Sequence, residues 1–347
     1  MSAAAVIGSN GTYEIKQWRT FLIFLVILTF TTLSNLYANK FLPKWNDGAR
    51  KLLFSSSMTH RLIVSVYWSI LAVIVISITI LATSDKNNAS FVFANFTNET
   101  GWSNGTAWIL GLLQSALSLI GFDAACHMTE EMPSPSRDTP RAMIYAIIVG
   151  GVTGVAFILV ILFCITDIET VLNTSTNMPI SELIHQATGS RAAAIVLTIM
   201  LAVCFINGTN GCVTSASRLI FAMARDKGMP FSEFFSAINP RTHVPVRTVL
   251  FCFVFNLLFG LLYLGPSVAF NAYVASTTIF LNVSYASPVI ILVVRGRSIL
   301  ARKTVAFSLG KYGYFANYVG IIFVGVTSVV SLFYCQVTVL CMNPNIT

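Results

Sequence analysis

The sequence predicts an all-α, polytopic membrane protein with about eight transmembrane helices. Hydrophobic residues make up 55% of the 347-residue chain and charged residues only 10%, whereas a soluble domain carries about 25% charged residues. Long apolar runs separate the few charges, and each run is long enough to cross roughly 30 Å of hydrocarbon as a helix. These two observations predict the fold class, and the distribution of basic residues predicts the orientation.

The apolar runs define the predicted spans in chain order. A surface helix of a soluble protein shows a polar face, and these runs mostly lack one, which argues against a soluble fold. The predicted transmembrane helices cover residues 18–38, 62–83, 107–127, 142–166, 191–216, 246–264, 267–294 and 317–341.

Basic residues favour cytoplasmic loops, and here they indicate that the first helix enters from the outer side. In that orientation all of the 21 Lys and Arg except Lys16, Arg19, Lys86 and Arg191 fall in or beside inner loops. Topology therefore explains the formal net charge of +8, and no nucleic-acid partner is needed to account for it. The partner that the composition predicts is the lipid bilayer.

Sequons for N-glycosylation support the same orientation, because they cluster in predicted outer loops. Their density within residues 88–106 predicts a glycoprotein on the secretory route, with the plasma membrane as the expected destination. The candidate acceptors are Asn88, Asn95, Asn98, Asn104 and Asn173.

No motif typical of an enzyme or a metal site is present. The seven cysteines and four histidines are dispersed, without the spacing of a metal site or a disulfide framework. The GxSxG, HExxH and P-loop patterns do not occur. We therefore expect neither catalysis nor a cofactor.

The predicted span 107–127 reads AWILGLLQSALSLIGFDAACH and contains residues that an inert anchor would avoid. Gly121 lowers helix stability, so the helix can break there if protein or water satisfies the freed backbone groups. Asp123 follows, and an ionisable residue inside a membrane span is a functional-site candidate. The alternative is that Asp123 lies close enough to the cytoplasmic interface to stay hydrated.

Two further spans are rich in small and polar residues. Residues 206–217 read INGTNGCVTSAS, and residues 271–288 read NAYVASTTIFLNVSYASP. Such residues permit close helix packing and interhelical hydrogen bonds, and they can also form a cavity wall. Both interpretations stay open, and the cavity interpretation makes Asn207 a candidate substrate-binding residue.

Two long motifs resemble those of the amino acid–polyamine–organocation transporters. GFDAACHMTEEMPSPSRDTPRAM, residues 121–143, is similar to the sixth family helix and its following loop. SASRLIFAMARDKGMPFSEFFSAINPRTHVPVRT, residues 215–248, is similar to the eighth helix and its loop. SFVFANFTNETGW, residues 90–102, looks like the fungal permeases for choline, GABA and related amines.

The resemblance implies a fold with two inverted five-helix repeats, to which the predicted spans contribute family helices four to eleven. Residues 1–347 then form a single transmembrane domain. Residues 18–83 correspond to a remnant of the first repeat, 107–294 to the second repeat, and 317–341 to an extra helix.

The resemblance also implies residue roles, because the family holds its substrate between broken helices one and six. Ser118, Gly121, Phe122 and Asp123 would lie at or beside the break in helix six. Phe122 would serve as an aromatic wall that can contact a cationic amine. Asp123 would act in gating or proton coupling.

The loop TEEMPSPSRDTPRAM combines prolines with charges. Pro133, Pro135 and Pro140 are expected to forbid a continuous helix. The charged residues either latch an outward-facing state across the inner mouth or are simply solvated. The candidate gating residues are Glu130, Glu131, Arg137, Arg141 and, from the eighth family helix, Arg218.

The resemblance implies transport of amino acids or related amines (choline, GABA or polyamines) by alternating access. Proton-coupled symport is the expected mode, so the expected partners are a small amine or amino-acid substrate, a proton and the lipid bilayer. Family helices one to three and twelve have no counterpart in the sequence. The alternative is therefore a non-transporting remnant, or a regulatory membrane protein that associates with a paralogue.

Overall fold

The computed structural model describes residues 1–9, 13–46, 57–98, 102–132, 134–242, 244–265, 267–296 and 309–342. These ranges are built from helices and contain no strand, which confirms the predicted all-α class. The α-helices are α1 (Ser2–Gly8), α2 (Gln17–Asn46), α3 (Ser57–Thr83), α4 (Ala89–Ala94), α5 (Asn104–Ser118), α6 (Pro135–Cys164), α7 (Ile168–Leu172), α8 (Pro179–Thr188), α9 (Arg191–Arg225), α10 (Ser232–Phe235), α11 (Val246–Gly260), α12 (Ser267–Arg295) and α13 (Tyr312–Met342). Two 3-10 helices cover Phe122–Glu131 and Leu261–Leu264.

Six helical segments in the described ranges are long and apolar enough to cross a membrane. Their positions agree with six of the predicted spans, and the protein is a multi-pass membrane protein. The segments are Gln17–Tyr37, Val66–Thr83, Pro135–Cys164, Arg191–Arg225, Val246–Leu264 and Tyr312–Val330.

Of the other two predicted spans, one differs from the structure and one agrees with it. The prediction of one helix over 107–127 is wrong, because α5 has only 15 residues and ends at Ser118. The run 267–294 forms the 29-residue α12, Ser267–Arg295, close to the predicted bounds.

Residues 1–95 and 149–264 form one compact unit, here called unit 1. Its apolar core lies where α3, α8 and α9 meet, around Ile76, Ile184 and Leu197. Helix α9 is central, since α2, α3, α8 and α11 all pack against it. Burial of this apolar surface between helices is what orders the unit internally.

Residues 96–148 and 265–347 form a second compact unit, here called unit 2. Helices α12 and α13 pack along one another, and α5 packs on α13. The buried Asn282 amide donates to the Thr327 hydroxyl at 3.3 Å and joins α12 to α13. Asn282 also begins an Asn-Val-Ser sequon, and its burial inside a helix argues against a glycan at that position.

Side-chain caps and glycine set several helix ends. At the start of α5, the Ser103 hydroxyl accepts a hydrogen bond from the Thr106 backbone N–H. At the start of α9, the Ser190 hydroxyl accepts one from the Ala193 backbone N–H. Gly189, with φ of 59°, ends α8 in the left-handed conformation that favours glycine.

The expectation for the prolines of the 129–143 loop is wrong at Pro140. Helix α6 begins at Pro135 and continues through Pro140. Pro135 stands at the first helical position, where a backbone N–H has no intrahelical partner. Pro140 is close to the same end and gives up one backbone hydrogen bond. Pro133 lies outside the described residues.

Candidate functional site

The candidate site begins where α5 ends. After Ser118, Gly121 adopts a φ of 85°, which side-chain-bearing residues rarely adopt. Glycine therefore permits the chain to leave α5 and to start the 3-10 helix at Phe122. The break also leaves the last carbonyl groups of α5 without intrahelical partners, and such a helix end favours cations.

Asp123 lies in the first turn of this 3-10 helix and its carboxylate has two partners. Its Oδ1 accepts a hydrogen bond from the Tyr285 hydroxyl at 2.7 Å. Its Oδ2 lies 3.1 Å from Nε2 of His127. The Asp123 and His127 side chains are 24% and 23% exposed, so the pair is held in place and still open to solvent.

Tyr285 of α12 contacts three consecutive residues at the break, Gly121 to Asp123. Its hydroxyl accepts from the Gly121 N–H at 3.2 Å while donating to Asp123. Its ring lies 5.1 Å from the Phe122 ring, centroid to centroid. One side chain therefore contacts the left-handed glycine, the aromatic residue and the carboxylate, all within unit 2.

This arrangement suits a small organic cation. A carboxylate can pair with an ammonium group, and an aromatic face attracts the same group by a cation–π interaction. In the described part of the chain, no group of three or more His, Cys, Asp or Glu side chains is arranged to hold a metal ion.

Three of the predicted substrate-site residues meet in this cluster, namely Gly121, Phe122 and Asp123. Ser118 is exposed at the end of α5. Sequence reasoning missed His127 and Tyr285. The four-residue spacing between Asp123 and His127 was an available signal, because such residues share one helical face. Tyr285 has no local signal, since its partners are far away in sequence.

The small and polar residues of the stretch 206–217 in α9 were compatible with helix packing or with a cavity wall, and the stretch takes part in both. One face of α9 lines a cavity of about 670 Å³ within unit 1. The residues of this stretch that line it are Ile206, Thr209, Cys212, Val213 and Ala216. The predicted Asn207 is half-buried and is not among the lining residues.

The same stretch of α9 also packs against α2. The Asn35 amide of α2 donates to Asn210 Oδ1 at 2.8 Å. The Thr214 hydroxyl donates to Asn35 Oδ1 at 2.5 Å. Asn35 and Thr214 are buried, so this cluster joins α2 to α9 by polar contacts inside the apolar span.

The predicted latch residues are placed as follows. Arg137 and Arg141 are exposed on the first turns of α6. The Arg218 guanidinium donates to the Thr214 carbonyl of its own helix at 3.4 Å. The side chains of Glu130 and Glu131 lie outside the part of the chain that the structure describes, so the ionic latch stays a prediction.

Four of the five candidate glycosylation sites are exposed, namely Asn88, Asn95, Asn104 and Asn173. Asn98 is half-buried. Its amide donates to the Trp102 carbonyl at 2.7 Å and to Asn104 Oδ1 at 2.9 Å. The Asn98 nitrogen that a glycan would occupy is therefore engaged by its own loop.

Comparison with known proteins identifies related sequences along nearly the whole chain. A family model described as amino acid permease matches residues 1–346. The choline transporter of Saccharomyces cerevisiae is 37% identical over 307 residues, which cover 88% of this chain and 51% of that protein.

Two further relatives come from a fungus and a plant. A putative amino acid/polyamine transporter of Macrophomina phaseolina is 33% identical over 311 residues, which cover 89% of this chain and 65% of that protein. An amino-acid permease of Arabidopsis thaliana is 36% identical over 276 residues, 76% of this chain and 52% of that protein. The chain thus spans between about half and two thirds of the length of these relatives.

Proposed function

The chain belongs to the amino acid permease family, a family of transporters and not of enzymes, and on this basis we propose that it carries small amines or amino acids across a membrane by alternating access. The plasma membrane is the proposed location. The names of the relatives favour amines and amino acids as the substrate class, since they include a choline transporter and an amino acid/polyamine transporter.

The observation that carries the proposal is the pairing of Asp123 with Tyr285 beside the left-handed Gly121. Breaks in membrane helices expose backbone groups and half-helix ends that can bind ions and substrates. Here the carboxylate and the carbonyl end of α5 favour a positive charge, and the Phe122 ring adds an aromatic face. We therefore propose an organic cation or a primary amine as the group bound at this site.

Gating follows from the same contacts. While Tyr285 donates to Asp123, the carboxylate and the Gly121 N–H are both occupied. An ammonium group that pairs with Asp123 competes with this hydrogen bond and favours release of α12 from the break. Substrate binding would in this way shift the population between closed and open states by its differential affinity.

Proton coupling is proposed for the Asp123–His127 pair. A protonated imidazole forms a salt bridge with the carboxylate, whereas a neutral ring offers one N–H or one acceptor nitrogen. Binding of a cationic substrate at Asp123 would weaken the hold on the imidazole proton. Substrate binding and proton release would then be coupled as an exchange, which differs from the symport expected from the resemblance.

The test is uptake of radiolabelled choline, GABA and a mixed panel of amino acids by permease-deficient yeast that expresses this chain. Surface delivery is checked by glycosidase-sensitive mobility. We expect uptake of at least one amine, and its loss in Asp123→Asn, which keeps the size of the side chain and removes the charge. Asp85→Asn is the matched control, because Asp85 is an exposed carboxylate between α3 and α4.

Two outcomes would contradict the proposal. If Asp123→Asn retained uptake and proton coupling, Asp123 would have no role in either. If the unmodified chain reached the surface in glycosylated form and took up none of the compounds, the regulatory or non-transporting alternative would be favoured.

A further inference from the structure

A small cleft lies in unit 1 between residues 36–37 of α2 and the start of α11. Its volume is about 200 Å³. The residues that line it are Leu36, Tyr37, Asn239, Arg241, Thr242 and Val246. None of them belongs to the cluster around Asp123 or to the larger cavity in unit 1.

The position of the cleft relative to the bilayer follows from the two spans beside it. The apolar run 18–38 of α2 is followed by Lys40, three residues after Tyr37, and the apolar segment that includes α11 begins at Val246. Tyr37 and Val246 line the cleft, so it lies near the level where hydrocarbon gives way to lipid headgroups. The distribution of basic residues predicts that this is the cytoplasmic face.

The cleft contains a cationic group without an anionic partner. Arg241 is exposed, and no ion pair among the described side chains includes it. Its backbone N–H donates to Asn239 Oδ1 at 2.9 Å, and the Asn239 N–H donates to the Val244 carbonyl at 3.2 Å. These two bonds fold the loop back and keep Arg241 in the cleft beside Leu36 and Tyr37 of α2.

The cleft also contains an unsatisfied hydroxyl. The Thr242 Oγ1 is buried and has no hydrogen-bond partner in the described part of the chain. A buried polar group without a partner costs about 1–3 kcal/mol, so such a group in a functional protein calls for an explanation. Rotation of the Thr242 side chain toward the cleft that it lines would let a ligand oxygen supply the partner.

From these features we propose that the cleft binds the phosphate of an anionic phospholipid. An arginine fork matches phosphate oxygens and can bind two of them at once. After rotation toward the cleft, the Thr242 hydroxyl can donate to a third oxygen. The site goes beyond the proposed transport function and would tie α2 and the start of α11 to the cytoplasmic leaflet.

A phospholipid fits better than free phosphate because of the surface next to the cleft. A space of about 200 Å³ holds a headgroup and not acyl chains, and the chains need an apolar surface. Leu250, Phe251 and Phe255 of α11 are exposed and lie on the membrane-spanning part of that helix. An anionic headgroup is favoured over phosphatidylcholine, since the choline cation would meet the positive charge of Arg241.

The test is direct binding to the purified full chain in detergent, measured by native mass spectrometry and by thermophoresis. The probes are dioctanoyl phosphatidylserine, dioctanoyl phosphatidylcholine and inorganic phosphate. We expect phosphatidylserine to bind best and Arg241→Gln to weaken its binding by about tenfold, as loss of a charge-assisted pair would. Arg191→Gln, which removes an exposed arginine at the start of α9, should bind like the unmodified chain.

Thr242→Val provides a second and independent measurement. Valine keeps the shape of threonine and removes the buried hydroxyl, so we expect it to raise the melting temperature of lipid-free protein and to weaken phosphatidylserine binding several-fold. Equal binding by Arg241→Gln and Arg191→Gln would overturn the proposal. So would equal affinity for phosphatidylcholine, or for inorganic phosphate, which would indicate a site for free anions.

Discussion

The Tyr285 hydroxyl donates to Asp123 Oδ1 at 2.7 Å and at the same time accepts from the Gly121 N–H at 3.2 Å. Asp123 and Gly121 flank the point where α5 has ended and the 3-10 helix starts. A single hydroxyl therefore satisfies a carboxylate and a backbone group that the helix break would otherwise leave exposed. This relationship makes Tyr285 the residue on which closure of the break depends.

Replacement of Tyr285 by Phe removes the hydroxyl and keeps the ring contact with Phe122. We expect a loss of about 1–3 kcal/mol in unfolding free energy, because Asp123 and the Gly121 N–H each lose a partner. The measurement is the midpoint of thermal unfolding in detergent. Tyr318→Phe on α13 is the control, since Tyr318 is exposed. Equal midpoints for the two variants would show that the hydroxyl contributes nothing to stability.

Replacement of Gly121 by Ala tests the backbone conformation at the break. An added Cβ would meet nothing within 4 Å, so steric contact is not the obstacle. The φ of 85° is the obstacle, and forcing alanine into the left-handed region costs about 1–2 kcal/mol.

The matched control for Gly121→Ala is Gly151→Ala. Gly151 lies inside α6, and a Cβ there also meets nothing within 4 Å. Alanine should stabilise that helix by up to about 1 kcal/mol. Opposite signs in the two unfolding measurements are therefore expected, and a gain in stability for Gly121→Ala would contradict the left-handed assignment.

The contact between Asn35 and Asn210 can be measured by a double-mutant cycle with alanine at both positions. Hydrogen bonds between membrane helices couple by about 0.6 kcal/mol on average and at most about 1.7 kcal/mol. We expect a coupling in that range from unfolding in mixed micelles. The control cycle pairs Asn35 with Asn256, whose amide donates to the Cys252 carbonyl of its own helix. Coupling of the same size in both cycles would contradict a direct α2–α9 contact.

The outer loops provide a prediction about glycan occupancy. Glutamine at Asn88, Asn104 or Asn173 should each remove one glycan, because these side chains are exposed. Asn98→Gln should leave the mobility unchanged, since the Asn98 amide donates to Trp102 and Asn104. The measurement is electrophoretic mobility before and after glycosidase treatment. A full glycan shift for Asn98→Gln would show that this loop opens during maturation.

Much of the fold could be predicted because apolar runs act locally. Hydrocarbon thickness sets the length of a span, so runs such as 246–264 were located closely from composition alone. Pro140 was misjudged because the cost of proline depends on its distance from the helix start. The start of α6 at Pro135 could not be deduced from apolar residues, since the first turns of that helix are polar and charged.

Only those residues of the candidate site that stand out from their local sequence could be predicted. Gly121 and Asp123 stand out within an apolar run, so both are visible in sequence. Tyr285 is one tyrosine among 11, and nothing nearby in sequence marks it. Likewise Arg241 and Thr242 appear as ordinary loop residues until α2 packs beside them.

The sequence by itself determined the all-α membrane class, the expected orientation, and the weak point at Gly121, because each depends on solvation or on local backbone freedom. Only the tertiary structure decided which side chain reaches Asp123, which face of α9 lines a cavity, and where a buried hydroxyl lacks a partner. Those features depend on contacts between helices that are far apart along the chain. Hydrogen bonds of this kind act over about 3 Å, and hydropathy carries no information about them.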